Sequence, residues 1–400
     1  MIYKDFKGLK LSALGLGAMR LPLVAGTEQI DEAAVKEMVA YAIENGVNYF
    51  DTAYPYHGGN SETVLGKVLA DYPRDSFYLA TKYPGHQIAS EYHPDEVFEL
   101  QLKKCGVDYF DFYLLHNVNE QSIDVYTDPK WGIVDYFIEQ KRLGRIKHLG
   151  FSCHCPVSVL EAFLDRYGDE LEFCQIQLNY LDWTLQNADK KVELLNSRGV
   201  PVWVMEPVRG GKLASLGEEE DAELMKLCPE ESIPARAFRW LQAVKGVTVV
   251  LSGMSNLEQM KDNVKTFSSE RALSEAELAV IGRAVEKISH AVPCTGCRYC
   301  CDGCPKGLNI PALIKLYNEA CYYASMNLDF TVTALGPEGM PSNCIGCGAC
   351  AAICPQGIDI PGLMPVMDKK IREIPSWAEI SRVRELEAIA LREQMKKENK

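Results

Sequence analysis

The chain has 400 residues and a formal charge of −13 at pH 7, from 42 Lys and Arg against 55 Asp and Glu. Hydrophobic residues make up 47% and charged residues 24%, which excludes a mostly disordered chain and leaves ample material for a core. The length allows two or three domains, and the acidic balance argues against nucleic acid or an anionic membrane surface as the main partner. No apolar run approaches the roughly 18 residues of a membrane span, and the start, MIYKDFKGLK, lacks the apolar core of a signal peptide. A cytoplasmic protein is expected.

From residue 11 to about 253 there are eight short apolar runs, rich in β-branched and aromatic residues. In chain order they are Leu14–Gly17, Val47–Asp51, Phe77–Lys82, Asp111–His116, His148–Ser152, Phe173–Leu178, Val202–Glu206 and Val247–Ser252. Helical patterns lie between them. Asp31–Asn45 puts Ala34, Val35, Met38, Val39 and Ala42 on one face, and Asn45-Gly46 closes it. Ser61–Leu69, Pro94–Lys104, Trp131–Arg142, Pro156–Tyr167, Leu185–Arg198 and Pro234–Val244 read similarly. Strand and helix alternating eight times predict an α/β fold, a (β/α)8 TIM barrel over residues 1–283. An open doubly wound sheet competes, but Gly15-Leu-Gly17-Ala-Met-Arg20 lacks the third glycine of its dinucleotide turn.

Residues 284–375 form a second, mainly helical domain, and 376–400 a charged tail with Val383, Leu386 and Ile389 or Ala390 at helical spacing. Ten of the 15 cysteines fall between Cys294 and Cys354. A disulfide framework belongs to small secreted domains, so clustering here points to metal or cluster binding. Cys294, Cys297, Cys300 and Cys304-Pro305 spell C-x2-C-x2-C-x3-C-P, and Cys344, Cys347, Cys350 and Cys354-Pro355 repeat it at an offset of 50. Gly296/Gly346, Gly307/Gly357, Ile310/Ile360, Pro311/Pro361 and Leu313/Leu363 keep the same offset, so the segment is an internal duplication.

This run resembles that of the bacterial two-cluster ferredoxins, in which the fourth cysteine of each run ligates the other cluster. The resemblance implies one 4Fe–4S cluster on Cys294, Cys297, Cys300 and Cys354, and a second on Cys344, Cys347, Cys350 and Cys304. Two zinc knuckles are the alternative. Cys301 and Cys321 are spare and read as small buried hydrophobes.

Four ionisable residues sit at or just after strand ends, where barrel chemistry belongs: Asp51, Tyr56, Lys82 and His116. Each alone has a bland explanation, as a helix cap, a packing ring, a snorkelling amine or a structural imidazole. Their order and types together, with Gly144-Arg-Ile-Lys-His-Leu-Gly-Phe-Ser152 and the segment Gly253 to Asn263, resemble an aldo-keto reductase. That resemblance implies a barrel binding a nicotinamide dinucleotide in extended form. Tyr56 would donate a proton to the carbonyl oxygen. Lys82, paired with Asp51, would lower the tyrosine pKa, and His116 would orient the carbonyl.

The resemblance also implies cofactor contacts from Gly17, Met19 and Asp51, and a carboxamide held by Ser152 and Gln175. Met205 stands where the family has a ring-stacking aromatic. Pro207, Val208, Gly210 and Lys212 would hold the pyrophosphate, and Gly253, Ser255, Gln259 and Asn263 the adenosine. Ser255 and Gln259 stand where the family commonly has a cation for a 2′-phosphate, which favours NADH over NADPH. Cys153-His154-Cys155 is expected to line the cleft or pack beneath it, and Tyr54, His57, Trp131 and Tyr180 to form an aromatic pocket.

Three readings stay open. One is a reductase interconverting a carbonyl and an alcohol, with the clusters structural or on a separate path. Another is a cluster-coupled enzyme fed by a ferredoxin or flavoprotein partner. The last is a nicotinamide-reading sensor or subunit without turnover.

Overall fold

The structure, a computed structural model, describes residues 1–87, 89–288, 292, 294, 296, 298–322, 327–354 and 356–382. Three sequence-predicted features therefore lie outside the described residues: the ligand Cys297, the proline Pro355 and the tail helix beyond residue 382. The chain forms two compact units, Met1–Ile281 and Gly282–Ser381. Among the described residues no helix is long and apolar enough to cross a membrane.

The first unit opens with an antiparallel hairpin, β1 (Tyr3–Phe6) and β2 (Leu9–Ser12). The barrel strands follow: β3 (Leu14–Gly17), β4 (Tyr49–Asp51), β5 (Tyr78–Tyr83), β6 (Phe110–Val118), β7 (Ile146–Cys153), β8 (Cys174–Gln177), β9 (Val202–Met205) and β10 (Val247–Ser252). All are parallel, and β10 pairs with both β9 and β3 to close the ring. The (β/α)8 architecture read from the sequence is therefore the observed one. Between the strands run α1 (Glu32–Glu44), α2 (Ser61–Leu69), α3 (Pro94–Cys105), α4 (Ser122–Thr127), α5 (Ile133–Arg142), α6 (Val157–Tyr167), α7 (Asp182–Leu185), α8 (Ala188–Ser197), α9 (Glu218–Leu227) and α10 (Ile233–Gln242). After β10 come α11 (Leu257–Phe267) and α12 (Glu275–Ile288).

Local chemistry sets these boundaries. The Asp31 carboxylate accepts the Ala34 N–H at 3.0 Å and starts α1, whose Val35, Met38, Val39 and Ala42 are buried. The helix expected over Leu185–Arg198 is α8, which starts three residues later, at Ala188, and the separate short helix α7 precedes it. Asn187 between them takes a left-handed backbone, φ 51°, which a continuous helix cannot contain.

The barrel interior is filled from below. Phe6 of the hairpin lies edge-on to Trp203 at 5.1 Å and near Phe112 at 5.7 Å, with Phe173 and Tyr49 in the same layer. Gly150 leaves the space this layer needs, since a Cβ there would come within 2.5 Å of the Phe173 ring. Each buried aromatic contributes about 2–3 kcal/mol of apolar burial. The floor is thus solid, and only the C-terminal mouth is open to chemistry.

The second unit contains α13 (Tyr299–Asp302), α14 (Ile310–Tyr322), α15 (Leu328–Leu335), α16 (Ala349–Ala352) and α17 (Ile360–Ile371). Its core joins Leu308, Ile310, Leu313 and Ile314 to Ile360, Met364, Met367 and Ile371. The 50-residue repeat is visible in the backbone. Gly296 and Gly346 have φ 70° and 67°, and Gly307 and Gly357 have φ 63° and 64°. Asn309 and Asp359 accept N–H bonds from Ala312 and Gly362, at 3.4 and 3.1 Å. The Trp377 N–H donates to Asp329 at 2.7 Å, which ties the start of the expected tail into this unit.

Phe6→Ala should cost about 3–5 kcal/mol in urea unfolding, because it empties the floor of the barrel. Ligand binding at the opposite end should be unchanged at temperatures where the variant is folded.

Candidate active site and cysteine-rich unit

The strand register brings the sequence-predicted ionisable residues to one end of the barrel. Asp51 closes β4, Lys82 lies near the end of β5 and His116 near the end of β6. Tyr56 opens a tight turn in which His57 and Gly58 are left-handed, φ 52° and 60°. His57 accepts the Leu21 N–H at 3.1 Å, so this turn is pinned to the loop after β3.

Lys82 is fully buried and donates to Asp51 Oδ1 at 2.5 Å and to the Thr52 carbonyl at 2.7 Å. Its ammonium lies 5.0 Å from the centre of the Tyr56 ring. Burial works against the ammonium, but Asp51 and Tyr56 together carry its pKa upward. Burial also pushes the Asp51 carboxyl up, against the pull of Lys82. The Tyr56 phenol is pushed up as well, because burial outweighs the downward pull of Lys82. The sequence-based expectation was the opposite net direction; the lysine acts as expected, but desolvation is larger. The His116 ring meets Tyr56 edge-on at 5.8 Å.

Two parts of this site carry no sequence motif. His86, in the loop after β5, packs its ring 4.4 Å from His116. Behind Lys82, Glu62 of α2 receives the Thr81 hydroxyl and the Gln101 amide at 2.6 Å each, and pairs with Lys104 at 2.6 Å. Gln101 also donates to the Lys82 carbonyl at 3.0 Å and accepts the Tyr113 hydroxyl at 2.5 Å. This buried net holds the strand that carries the lysine. Tyr54 sits 5.0 Å from the Lys104 ammonium and is buried on that side, so it belongs to this net and not to an open pocket.

The residues expected to meet the cofactor fall into two groups. Ser152 and Gln175 are register partners on β7 and β8. Ser152 Oγ accepts the Asn117 N–H at 2.8 Å, and Gln175 Nε2 reaches Met205 Sδ at 3.5 Å. Gln175 Oε1 is buried with no hydrogen-bond partner among the described residues. Such an orphan fits the carboxamide N–H of a nicotinamide. Gly17 packs against the Ser252 backbone, and Met19 is exposed at the rim. Pro207 to Lys212 form a turn in which Gly210 and Gly211 are left-handed.

The residues expected to meet the adenosine are hydrogen-bonded within the protein. Gln259 Oε1 accepts the Ser255 N–H at 2.8 Å, Ser255 Oγ donates to the Arg20 carbonyl at 3.0 Å, and Asn263 donates to Ser252 Oγ at 2.9 Å. Gly253 packs under the Arg20 side chain. Cys153 and Cys174 are buried thiols with sulfurs 3.9 Å apart.

In the second unit, Cys304 together with Cys344, Cys347 and Cys350 line one open hollow, beside Lys306, Leu308 and Met364. Three thiols come from the second repeat and one from the first. A four-thiol, apolar-walled cavity of this make-up fits an iron–sulfur cluster, and the Gly346 N–H already points at Cys344 Sγ, 3.4 Å away. Cys294, Cys300 and Cys354 belong to or pack on the same core.

An eight-stranded parallel barrel with a buried Lys–Asp pair beside a tyrosine at its C-terminal mouth defines a TIM-barrel oxidoreductase. Residues 13–286 match the model of the aldo/keto reductase family, and residues 293–358 match a 4Fe–4S dicluster domain. The chain belongs to the aldo/keto reductase family and carries a ferredoxin-type domain C-terminal to that match in the sequence. L-galactose dehydrogenase of Arabidopsis thaliana is 28% identical over 290 residues, 66% of this chain and 87% of that protein. NADH-specific methylglyoxal reductase of Escherichia coli is 24% identical over 326 residues, 70% of this chain and 96% of that one. Among solved structures, a thermostable aldo-keto reductase bound to the inhibitor epalrestat aligns with TM-score 0.58 and 25% identity, covering 71% of this chain and all (100%) of the other. An aldo-keto reductase of Klebsiella pneumoniae in complex with NADPH, at 22% identity and TM-score 0.56, covers 71% of this chain and 95% of its own and shares the fold.

Asp51→Asn leaves the Lys82 ammonium buried without its counter-charge, and should cost about 3–5 kcal/mol in urea unfolding. Adding Lys82→Met should restore part of that loss. Equal stability of Asp51→Asn and the double variant would show that the Thr52 carbonyl alone satisfies the ammonium.

Proposed function

We propose that the barrel interconverts a small carbonyl compound and its alcohol with a nicotinamide dinucleotide, and that the cysteine-rich unit holds two 4Fe–4S clusters. The observation that carries the first part is the Lys82 ammonium, 2.5 Å from Asp51 and 5.0 Å from the Tyr56 ring, at the open end of a closed barrel.

The nicotinamide, when bound, supplies or accepts the hydride. The protein does the rest. Gln175 Oε1 and Ser152 orient the carboxamide, and Met205 covers the ring. A phenol, with an ordinary pKa near 10, keeps its proton at neutral pH, the form an acid for carbonyl reduction needs, and burial of Tyr56 moves it further in that direction. As negative charge grows on the substrate oxygen, the Tyr56 proton moves toward it. The phenolate left behind faces the Lys82 ammonium in a site of low dielectric, where that attraction is strong. Asp51 keeps the ammonium charged and in place. His116, edge-on to Tyr56, borders the substrate oxygen on the other side.

NADH is the preferred cofactor in this reading. Ser255 and Gln259 are uncharged and already bonded to each other, so they offer a 2′-phosphate no cation. In the second unit, Cys304, Cys344, Cys347 and Cys350 hold one cluster, and Cys294, Cys297, Cys300 and Cys354 the other. Bound clusters would pass single electrons. An exchange partner such as a ferredoxin or a flavoprotein follows from that chemistry.

Tyr56→Phe should lower the rate of carbonyl reduction by about 10²–10⁴ while leaving NADH binding, followed by its fluorescence, unchanged. Wild-type-like turnover in Tyr56→Phe would sink the assignment. A tenfold or greater kcat/KM preference for NADPH would overturn the cofactor reading.

Crossed ligation predicts an unusual pattern of iron loss. Cys304→Ser with Cys344→Ser should remove a single cluster and keep about half the iron, whereas Cys304→Ser with Cys294→Ser should remove both. The reverse pattern in iron assays would mean each repeat holds its own cluster.

A further inference from the structure

Arg20 lies in the short turn after β3, and its side chain does not stay there. Its aliphatic part runs across Gly253, where a Cβ would stand 3.2–3.3 Å from its own Cβ, Cγ and Cδ. Its guanidinium then reaches Gly210, 3.0 Å from where a Cβ would be, and pairs with Glu206 at 3.8 Å. One side chain thus crosses from the first barrel loop, over the eighth, to the seventh. Bare glycines stand at both points it passes. The Ser255 hydroxyl fixes its origin by bonding the Arg20 carbonyl.

Glu206 is the second half of the observation. It is a non-glycine residue in the left-handed region, φ 57°, as is Arg209, φ 46°. Such a backbone costs about 1 kcal/mol or more and persists only where the surroundings enforce it. Here Asn179 enforces it, donating to the Glu206 carbonyl at 3.0 Å, while Asn179, Gln177 and Arg209 all hold the buried Asp182. The result sets Glu206 Oε2 3.5 Å from where a Gly210 Cβ would stand, with Oε1 3.8 Å from the Arg20 guanidinium. A backbone N–H at a left-handed glycine and a forked guanidinium are the elements of an oxyanion seat. The anion in that seat is the protein's own.

We propose that Arg20 and the Gly210 amide form the diphosphate seat of the bound dinucleotide, and that Glu206 is an internal stand-in which the diphosphate displaces. This rests on the nicotinamide reading above and adds to it a binding residue, Arg20, and a competitor, Glu206. On binding, the guanidinium exchanges a single carboxylate for a diphosphate, and Glu206 turns out of the seat. Affinity for the cofactor is then set by a difference between two anions, not by the diphosphate alone.

The test is a calorimetric titration of the full-length, cluster-loaded protein with ADP-ribose, which carries the diphosphate without the nicotinamide. Adenosine, which carries neither phosphate, is the control. Arg20→Gln should weaken ADP-ribose about tenfold or more and leave adenosine unchanged. Arg20→Lys, which keeps the charge without the fork, should lose less. Glu206→Gln should tighten ADP-ribose about threefold by weakening the competitor, and should give no gain when Arg20→Gln is also present. Unchanged ADP-ribose affinity in Arg20→Gln, or weaker affinity in Glu206→Gln, would overturn the seat while the nicotinamide reading stands. Wild-type protein that binds neither ADP-ribose nor NADH would overturn that reading and the seat with it. Equal loss for adenosine and ADP-ribose in Arg20→Gln would assign Arg20 a purely structural role and also overturn the seat.

Discussion

The ion pair between Lys82 and Asp51 is the constraint around which the first unit is arranged. Both groups are removed from water at the centre of a closed barrel, and such a pair is costly unless its geometry and its remaining hydrogen bonds are good. The barrel meets that demand in layers. Asp51 and the Thr52 carbonyl satisfy the ammonium directly. Glu62, Gln101, Thr81 and Tyr113 then hold the strand behind it. Beneath, the aromatic floor of Phe6, Phe112, Phe173 and Trp203 leaves no water to solvate the pair from below. A change in the hydrogen-bonding layers is felt at the lysine, because a buried charge depends on its partners.

The second unit depends on a different constraint, that of duplication. Two copies of one cysteine run share backbone angles at glycines 50 residues apart, so the same turn is built twice. Neither copy alone supplies the hollow that holds Cys304 with Cys344, Cys347 and Cys350. The core between α14 and α17, built from paired positions such as Ile310 and Ile360, is what holds the copies at the spacing this shared cavity needs. Packing and ligation therefore support each other, and a cluster in that cavity would stabilise the fold that positions its ligands.

Much of this was legible in the sequence because it is periodic or motif-borne. Eight apolar runs separated by helical patterns specify a barrel, and a repeated cysteine run specifies its own spacing. The four ionisable residues sit at strand ends, where the register delivers them to one mouth. What escaped reading was three-dimensional. His86 and Glu62 lie in segments without a motif and reach the site only through folding. The left-handed Asn187 starts α8 three residues later than the apolar spacing indicates. The direction of the Tyr56 shift needed the balance between Lys82 and desolvation, and only the structure supplies the burial. Arg20 was read as part of a failed glycine motif, since nothing in the sequence pairs it with a glutamate 186 positions later.

The two cations at the mouth share a logic. Lys82 pairs with Asp51 and Arg20 with Glu206. The pairs differ in depth, and depth decides what each can do. Lys82 is sealed, and its partner cannot leave without an unaffordable desolvation, so that pair can only respond electrostatically to charge arising at Tyr56. The Arg20–Glu206 pair is partly exposed and its partners are 3.8 Å apart, so water can cover either group once they separate. A buried pair suits a role that must not move during turnover. A loose pair at the rim suits a role that must reverse each time a cofactor enters or leaves. Under the proposed function, the same charge pairing, placed at two depths, divides the mouth into a fixed acid–base centre and an exchangeable anion seat.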